Sequence, residues 1–324
     1  MLASTENSQS RFQGEFPLTS AGNLAPEKIV SFNTGVDFGL FQDKLRVTAE
    51  YFNRTTHDLL SYQFQSVSNK QYSQIIASGN LITTGWEGTI GITALQTSSL
   101  NWKLSLNASH ATYKLQGLPG LVYGSRTFFI DESYPKMLNG NGALLYSYYL
   151  QQQKYQNGKP VEGQYEDRDG DSFPDQVPAQ SAVPTTLLGL NSRLTYQKWS
   201  FNFLARAELG HSVYNGFAAF YGNYRPNSIV NMSTSVLTTN FRQSQYLSDY
   251  YLEDASFLRL EYLSLGYDFG RVFKNRASLQ LEATAQNVFV LTDYSGQDPE
   301  TAYGFDGFAY PKARTFSLQL NVTL

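Results

Sequence analysis

Apolar and polar residues alternate with a period of two along most of this chain, which is typical of a β-strand with one apolar and one polar face. The clearest run ends the sequence, from Phe316 to Leu324. Eight further runs share the pattern and lie near residues 32–40, 45–51, 86–94, 102–108, 188–196, 199–209, 257–269 and 279–285. The phase slips near Tyr262–Leu263, which predicts a β-bulge. No amphipathic helix is evident, so we predict an all-β chain.

The two faces of these runs differ sharply in charge. The apolar positions carry no Lys, Arg, Asp or Glu, and the charged residues occupy the opposite face: Arg46, Glu50, Glu87, Lys103, Arg193, Arg206, Glu208 and Glu282. A soluble β-sandwich gives this pattern with the apolar face turned inward. A membrane barrel gives it with the apolar face toward lipid and the polar face toward a wet lumen. Alternation alone favours the sandwich, because sandwiches are commoner.

Three further features favour a transmembrane antiparallel β-barrel. Several runs reach about ten residues, the length that a tilted strand needs to cross a bilayer. Short turns near 41–43, 96–100, 197–198 and 270–276 alternate with long connections at 152–183, 211–256 and 293–312, as in outer-membrane barrels. Aromatic residues mark strand ends, as interfacial girdles do: Trp86, Trp102, Tyr196, Trp199, Tyr267 and Phe269.

The alternation of turns also predicts a strand number. If all short turns lie on one side, the first and last strands run in the same direction and the number is odd. Adding Ala143–Leu150 and Leu121–Ile130 to the nine runs gives about 11 strands. An open sheet would leave unpaired N–H and C=O groups in hydrocarbon, and single-chain bacterial barrels have even strand numbers. We therefore expect further strands, from an N-terminal portion or another chain, to complete the barrel.

Composition excludes several other classes of protein. Of the 324 residues, 15% are aromatic and 16% charged, with a net charge of −3 and no cysteine. Disorder requires fewer aromatics and more charge, and nucleic-acid binding requires a basic surface. Thiolate metal sites and a cysteine nucleophile are absent. Met1–Thr19 lacks the apolar core of a signal peptide, so the chain is expected to be either cytoplasmic or a piece whose export signal lies elsewhere.

Several motifs occur in the order found in a known family. They are Gly22–Glu27, Gly35–Leu40, Thr56–Leu60, the acidic Tyr165–Asp171, Ser256–Leu260, Leu263–Tyr267, Gln286–Phe289 and, most specifically, Thr292–Glu300. With them the chain resembles the C-terminal region of the SusC/RagA group of TonB-dependent outer-membrane transporters. The resemblance assigns residues 1–22 to a loop or upstream connection and residues 23–324 to the C-terminal half of a barrel of about 22 strands.

The resemblance implies a location, a function and partners. Such proteins lie in the outer membrane of Gram-negative cells and import glycans or oligopeptides with energy delivered through TonB. The expected partners are the lipid bilayer, the N-terminal barrel portion with its plug, the TonB complex through that plug, and a SusD-like surface lipoprotein, with no nucleic acid. The alternatives are a passive porin-like or structural barrel, and a secreted carbohydrate-binding β-sandwich.

Two loop segments carry candidate sites. Asp167, Asp169, Asp171 and Asp175 have the spacing of the first half of a Ca²⁺ loop, although Gly170 is misplaced for an EF-hand, and a solvated acidic turn is the alternative. Aromatic rings stack on sugars or bind peptide side chains, which makes a second set candidate substrate contacts: Tyr146, Tyr148, Tyr221 and Tyr224. Packing of the loops against themselves or a partner explains these tyrosines equally well.

No catalytic constellation is evident. His57, His110 and His211 are the only histidines, and they lie on different segments. A catalytic triad or a three-histidine metal site would need them to converge. We therefore expect no enzymatic activity.

Overall fold

A computed structural model describes residues 18–20, 24–67, 70–118, 122–123, 136–139, 144–226, 229, 231–239, 241–245, 247–274, 276–301, 304–307 and 310–324. Within them, nine long antiparallel strands form one sheet in which sequence order equals spatial order. These strands are β1 (Lys28–Leu40), β2 (Leu45–His57), β3 (Asn80–Gln96), β4 (Leu100–Gln116), β5 (Thr186–Tyr196), β6 (Trp199–Leu209), β7 (Phe257–Val272), β8 (Ala277–Thr292) and β9 (Thr315–Thr323).

All nine alternating runs are confirmed as strands of this sheet. The short turns lie at one end of the strands, and the long connections lie at the other end. The short turns are residues 41–44, 97–99, 197–198 and 273–276. The predicted bulge is also confirmed, because adjacent Leu204 and Ala205 of β6 pair with Tyr262 and Leu260 of β7, which leaves one extra residue on β7. The sheet is open, with β1 and β9 at its two edges.

The prediction of about 11 wall strands is wrong for the described part of the chain, where the sheet has nine. Strand β4 pairs directly with β5 along the whole of β5, so nothing can intervene between them. The expected wall strand at Ala143–Leu150 instead contributes Ser147–Gln151 to a smaller sheet. Four consecutive residues from Ser147 are buried, which is typical of a core strand and not of a wall strand with one wet face. Leu121–Ile130 lies outside the described residues except for Val122–Tyr123, which pair with Lys136–Asn139.

The apolar face of the sheet is continuous and uncovered. Cross-strand register places Phe38, Val47, Ile90, Leu106 and Leu190 in one row. Several large side chains on this face are substantially exposed, for example Ile90 at 37%, Leu106 at 41% and Phe316 at 74%. A β-sandwich would bury such a face against a second sheet, so the arrangement is that of a membrane barrel.

Aromatic residues delimit the apolar band. At its lower margin Trp199 contacts Tyr267 with ring centroids 4.7 Å apart, and at its upper margin Trp86 stacks on His110. The strand from Trp102 to His110 rises about 27 Å at about 3.4 Å per residue. With a tilt of about 40° the band is about 21 Å tall, close to the apolar band of outer-membrane barrels. Strands β3 and β4, with 17 residues each, extend well above it.

The long connections contain the remaining secondary structure. Leu18–Ser20, Leu60–Val67 and Lys70–Ala77 form a small sheet. The other short strands are Val122–Tyr123, Lys136–Asn139, Ser147–Gln151, Gln153–Gln156, Lys159–Tyr165, Gln176–Ser181, Ser212–Tyr214 and Leu252–Asp254, and the helices are Gly216–Tyr221, Val236–Thr239 and a 3-10 turn at Asp249–Tyr251. The described ranges contain no helix that combines the length and the apolar character needed to cross a bilayer.

The main hydrophobic core lies among these connections and not beneath the sheet. Its buried residues come from the connections 117–185 and 210–256: Tyr148, Leu150, Tyr214, Ala219, Phe241 and Tyr251. Phe305, from the connection 293–314, packs against them with its ring stacked on Tyr214. We call the described residues of these three connections the loop cap. These connections join the upper ends of strands β4 to β9 in pairs.

Candidate functional site

A buried arginine joins the loop cap to the polar face of the wall. Arg259, on β7, is 1% exposed. Its guanidinium donates hydrogen bonds to Asp298 Oδ1 at 2.6 Å and to Asn287 Oδ1 at 2.8 Å. Asn287 in turn donates to the main-chain oxygen of Lys312 at 2.6 Å. Both ends of the connection between β8 and β9 are thereby fixed to one side chain of the wall.

Arg206, on β6, extends this network. Its guanidinium is paired with three carboxylates, those of Glu208, Glu261 and Glu300. Glu261 is the residue that the bulge in β7 inserts between Leu260 and Tyr262. The bulge thus brings an acidic side chain within ion-pair distance of Arg206. Arg206 and Arg259 also lie over the ring of Phe257, 5.1 and 5.3 Å from its centroid.

Glu300 is the shared acceptor of the network. Lys312 Nζ donates to it at 2.6 Å, and Arg206 pairs with the same oxygen. Burial by itself disfavours the charged carboxylate, but the hydrogen bonds from Lys312 and Arg206 outweigh burial and lower the pKa of Glu300. Glu300 is therefore ionised at neutral pH. We call Arg206, Glu208, Arg259, Glu261, Asp298, Glu300 and Lys312 the charge latch.

Sequence reasoning did not assemble the charge latch. Arg206 and Glu208 stood out as charges on the polar face, and Asp298 and Glu300 belong to the most specific motif. The sequence signal that could have predicted the charge latch is an acidic loop motif, with Asp298 and Glu300, in a chain whose strands carry basic residues on their polar face. The partners are 39 and 94 residues apart in sequence, so spacing alone could not join them.

Tyr148, a predicted substrate contact, lies in the core of the loop cap. It is 1% exposed, and its hydroxyl lies 3.0 Å from the main-chain oxygen of Ser212 and 2.5 Å from that of Gly304. Burial raises the pKa of this hydroxyl well above its ordinary value, so it remains a neutral hydrogen-bond donor. In this arrangement Tyr148 holds three connections together and offers no surface to a ligand.

The other three predicted tyrosines are more accessible. Tyr146 and Tyr221 are half-buried, and Tyr224 is 45% exposed. Tyr221 packs against the rings of Phe217 and Phe220, with centroids 4.7 and 4.9 Å away. The main-chain N–H of Tyr224 donates to Phe241 at 2.6 Å, which anchors an exposed ring to the buried core. Tyr224 is the best placed of the four to touch a ligand.

The acidic segment folds into a turn that gathers three of its four aspartates. Carboxylate oxygens of Asp167, Asp169 and Asp175 lie within 4.8 Å of one another. Asp171 is turned away and accepts a hydrogen bond from the N–H of Phe173 at 2.8 Å. Asp167 also accepts from the N–H groups of Gly170 and Ser172. Hard cations prefer such oxygen clusters, so the predicted ligand set reduces to Asp167, Asp169 and Asp175.

The three histidines remain separate. His57 bonds to Asn80, His110 bonds to Thr186, and His211 packs edge-on against Phe257. They form no common site, as the sequence indicated.

The open antiparallel sheet has an uncovered apolar face with aromatic margins, and its opposite face is polar. Folded connections lie at one end of its strands. These features define the wall of an outer-membrane β-barrel. A protein-family model described as TonB dependent receptor-like, beta-barrel, matches residues 3–288. The chain belongs to this family. Members of the family are outer-membrane transporters and not enzymes, so the predicted family and the Gram-negative outer-membrane location are confirmed.

Curated relatives agree with this assignment. TonB-dependent receptor SusC of Bacteroides thetaiotaomicron is 31% identical, over 93% of this chain and 32% of its own length. TonB-dependent receptor P3 of Formosa agariphila is 26% identical, over 93% of this chain and 34% of its own. The chain therefore spans about a third of the length of the relatives it matches.

Solved structures show the same fold. The RagAB peptide transporter matches with a TM-score of 0.72 and 21% identity, over 91% of this chain and 35% of that one. The open-open state of the RagAB peptide importer matches with a TM-score of 0.73, over 94% of this chain and 35% of that one. The antiparallel barrel fold predicted from the sequence is confirmed, and the sandwich and passive-barrel alternatives are not favoured. The division at residues 1–22 and 23–324 stays a prediction; Leu18–Ser20 forms a short strand beside Lys70–Ala77.

Proposed function

We propose that this chain supplies C-terminal wall strands, lumen lining and external loops to a TonB-dependent importer of glycans or oligopeptides. The observation that carries the proposal is the loop cap, which is fixed by the charge latch to the polar face of a lipid-compatible wall. A passive pore needs a wall but no packed cap over its mouth. The cap offers a place to bind a substrate before it enters the barrel.

The open sheet supports a larger assembly. The free edges of β1 and β9 would each leave backbone groups unpaired in hydrocarbon, at a cost of several kcal/mol per group. We propose that further strands of the same receptor pair with both edges and that its plug fills the lumen and contacts TonB. A SusD-like surface lipoprotein would cover the loop cap from outside.

Energy dependence tests the import activity. Cells carrying the receptor are given labelled oligosaccharides or labelled oligopeptides, with and without a functional TonB. We expect uptake of one of these classes to require TonB, because the plugged barrel must be opened. Uptake that continues unchanged without TonB would indicate a passive pore and contradict the proposal.

Tyr224 is proposed as a substrate contact, and the half-buried Tyr146 and Tyr221 are further candidates. Tyr148 is left out of the proposed set because its side chain is buried. An aromatic contact contributes about 0.5–1.5 kcal/mol, so Tyr224→Ala should weaken binding of the transported class about two- to tenfold. Phe273→Ala is the matched control, because this ring is 74% exposed at a short turn on the opposite edge. Equal losses in both variants would refute the assignment.

We propose that the acidic turn binds Ca²⁺ through Asp167, Asp169 and Asp175. The convergence of their carboxylates supports this, and modules outside cells commonly bind Ca²⁺ with dissociation constants of about 10⁻⁴–10⁻³ M. Calorimetric titration with Ca²⁺ should show binding that Asp169→Asn weakens at least about tenfold. Asp171→Asn is the control, since an amide oxygen can still accept from Phe173. Identical titrations for the two variants would exclude this ligand set.

A further inference from the structure

A fully buried carboxylate lies where the connection 293–314 meets the rest of the loop cap. Asp306 is 0% exposed. Its Oδ2 accepts hydrogen bonds from the hydroxyl of Tyr294 and from the main-chain N–H of Gln297, both at 3.0 Å. Its Oδ1 is also buried and has no hydrogen-bond donor in the part of the chain that the structure describes. One charged oxygen of the cap therefore lies in the interior without a partner.

A second carboxylate acts on the same place. Glu253 accepts hydrogen bonds from the N–H and the hydroxyl of Ser295, at 2.7 and 2.8 Å, and from the side-chain amide of Asn215 at 2.9 Å. Burial in the first place, and then the charge and hydrogen bond of Asp306 and the charge of Glu253, raise the pKa of the Tyr294 hydroxyl well above its ordinary value. The two carboxylates are therefore close enough to act on one buried hydroxyl.

The chain does not balance these charges with a basic side chain. Within the described ranges, no Lys, Arg or His lies within ion-pair distance of Asp306 or Glu253. Asp298, in the same connection as Asp306, is by contrast paired with Arg259. A buried charge without a counter-charge is costly, because the protein interior solvates it poorly. Glu253 is half-buried and both of its oxygens have donors, so the unmet charge is concentrated at Asp306 Oδ1.

The chemistry of the surroundings selects the counter-charge. The polar groups nearby include the Tyr294 hydroxyl, the Tyr148 hydroxyl that also acts on it, and the main-chain oxygen of Gly304, 2.5 Å from Tyr148. Carboxylate, hydroxyl and carbonyl oxygens are the ligands of hard cations. Because a single charged oxygen is free, a monovalent ion balances the site, whereas a divalent ion would leave a buried positive charge. A water molecule would donate to Oδ1 but would leave its charge unbalanced.

We propose that the loop cap binds a monovalent cation, Na⁺ or K⁺, at Asp306 Oδ1, with neutral oxygens of the cap as the other ligands. The main chain of Asp306 also joins two connections, since its N–H donates to Tyr214 and its oxygen accepts from Phe217. The bound ion therefore stabilises the contact between residues 210–256 and 293–314. This site is separate from the exposed acidic turn, and it does not depend on the transport proposal.

The test compares the whole purified receptor in the chlorides of Na⁺, K⁺ and N-methylglucamine, at one ionic strength so that screening is constant. Hydrogen exchange is followed at the amides of Phe217 and Gln297, which donate to the main-chain oxygen and to Oδ2 of Asp306. A ligand that binds only the closed cap reduces opening by a factor set by mass action, so an ion at ten times its dissociation constant should slow this exchange about tenfold. N-methylglucamine is too large to enter and should give no protection.

Asp306→Asn is the test variant. Its amide oxygen can still accept from Tyr294 and Gln297, while its NH₂ group removes the charge that holds the ion. We expect exchange in this variant to be the same in all three salts. Asp254→Asn is the matched control, because Asp254 is exposed and accepts from the N–H of Ser256 at 2.7 Å, a bond that an amide oxygen can keep. The control should retain the full dependence on the ion.

A crystal structure of the unchanged receptor in the protecting salt is the second measurement, and it needs no variant to fold. We expect the occupant at Asp306 Oδ1 to be surrounded by oxygen atoms alone. Equal exchange of the unchanged receptor in all three salts would overturn the proposal. It would also be overturned by an ion dependence that persists in Asp306→Asn, or by an occupant that accepts from N–H groups and is therefore water.

Discussion

Replacing Arg259 with alanine should detach the last long connection from the wall. The side chain is 2% exposed, and Asp298, its main partner, is 12% exposed. Removing one member of a buried ion pair leaves the other charge buried without compensation, which costs about 3–5 kcal/mol. Among the residues that the structure describes, the partner left to Asp298 would be the N–H of Glu300, at 3.0 Å. The wall is held by its own backbone ladder, so the loss should appear as local opening of the loop cap.

Hydrogen exchange measures that opening directly. Two amides report on the attachment: Asp306 donates to Tyr214 at 3.0 Å, and Phe217 donates to the main-chain oxygen of Asp306 at 3.1 Å. A destabilisation of about 3–5 kcal/mol accelerates their exchange by roughly two to three and a half orders of magnitude, at 1.4 kcal/mol per factor of ten. Amides in the middle of β4 should keep their wild-type rates.

Arg46→Ala is the matched control. Arg46 pairs with Asp43 at 3.1 Å, but the two side chains are 69% and 61% exposed, and exposed pairs contribute about 0–1 kcal/mol. Exchange in the loop cap should not change. Arg259→Lys should give an intermediate result, because an ammonium cannot span Asn287 and Asp298 as a planar guanidinium does. If Arg259→Ala accelerates these amides less than tenfold, the charge latch does not hold the cap.

Three further outcomes follow from the same contacts. Leu106→Arg, at mid-height on the lipid face, should cost about 2–4 kcal/mol of folding free energy in bilayers. Asn107→Arg faces the lumen and should be tolerated. An equal loss of folding free energy in both variants would refute the face assignment. The pKa of Glu300 is below its ordinary value of 4.5. The contribution of Glu300 to the stability of the cap is therefore complete above pH 4.5 and is lost as the pH falls through the lowered pKa. Proteolysis of residues 293–314 should rise only in that acidic range, and a rise near neutral pH would contradict this reasoning. Tyr148→Phe removes the single O–H that the carbonyls of Ser212 and Gly304 share and should destabilise the cap by about 1–3 kcal/mol in denaturant titrations. Tyr310→Phe, at a residue that is 93% exposed, should change nothing.

The wall was predictable because its information is local. A strand between lipid and a wet lumen must alternate residue by residue, and every such run became a strand of the large sheet. The bulge was predictable for the same reason, since the extra residue at Glu261 breaks the alternation. The two environments, lipid and water, therefore determine the residue pattern of each wall strand.

The loop cap was not predictable in this way. Ser147–Leu150 looks like a wall strand in isolation, but all four residues are buried. Tyr148 and Leu150 pack with Tyr214, Phe241 and Tyr251 of another connection. Tyr148 could be assigned to a core only by knowing that Ser212 and Gly304 meet its hydroxyl. Arg259 and Asp298 likewise acquire meaning only as a pair. Tertiary contacts between distant segments leave no periodic signal.

These interlocked contacts constrain how the mouth of the barrel can change shape. Tyr148 lies on the first connection of the cap, and its hydroxyl meets carbonyls of the second and third. Asp306, on the third, accepts from Tyr294 and from the N–H of Gln297 and anchors Phe217 on the second. Moving one connection alone would therefore leave buried polar groups of another unpaired, at about 1–3 kcal/mol for each group. If Tyr224 contacts the substrate as proposed, we expect a bound substrate to displace the three connections together and, through the charge latch, to act on β6 and β7.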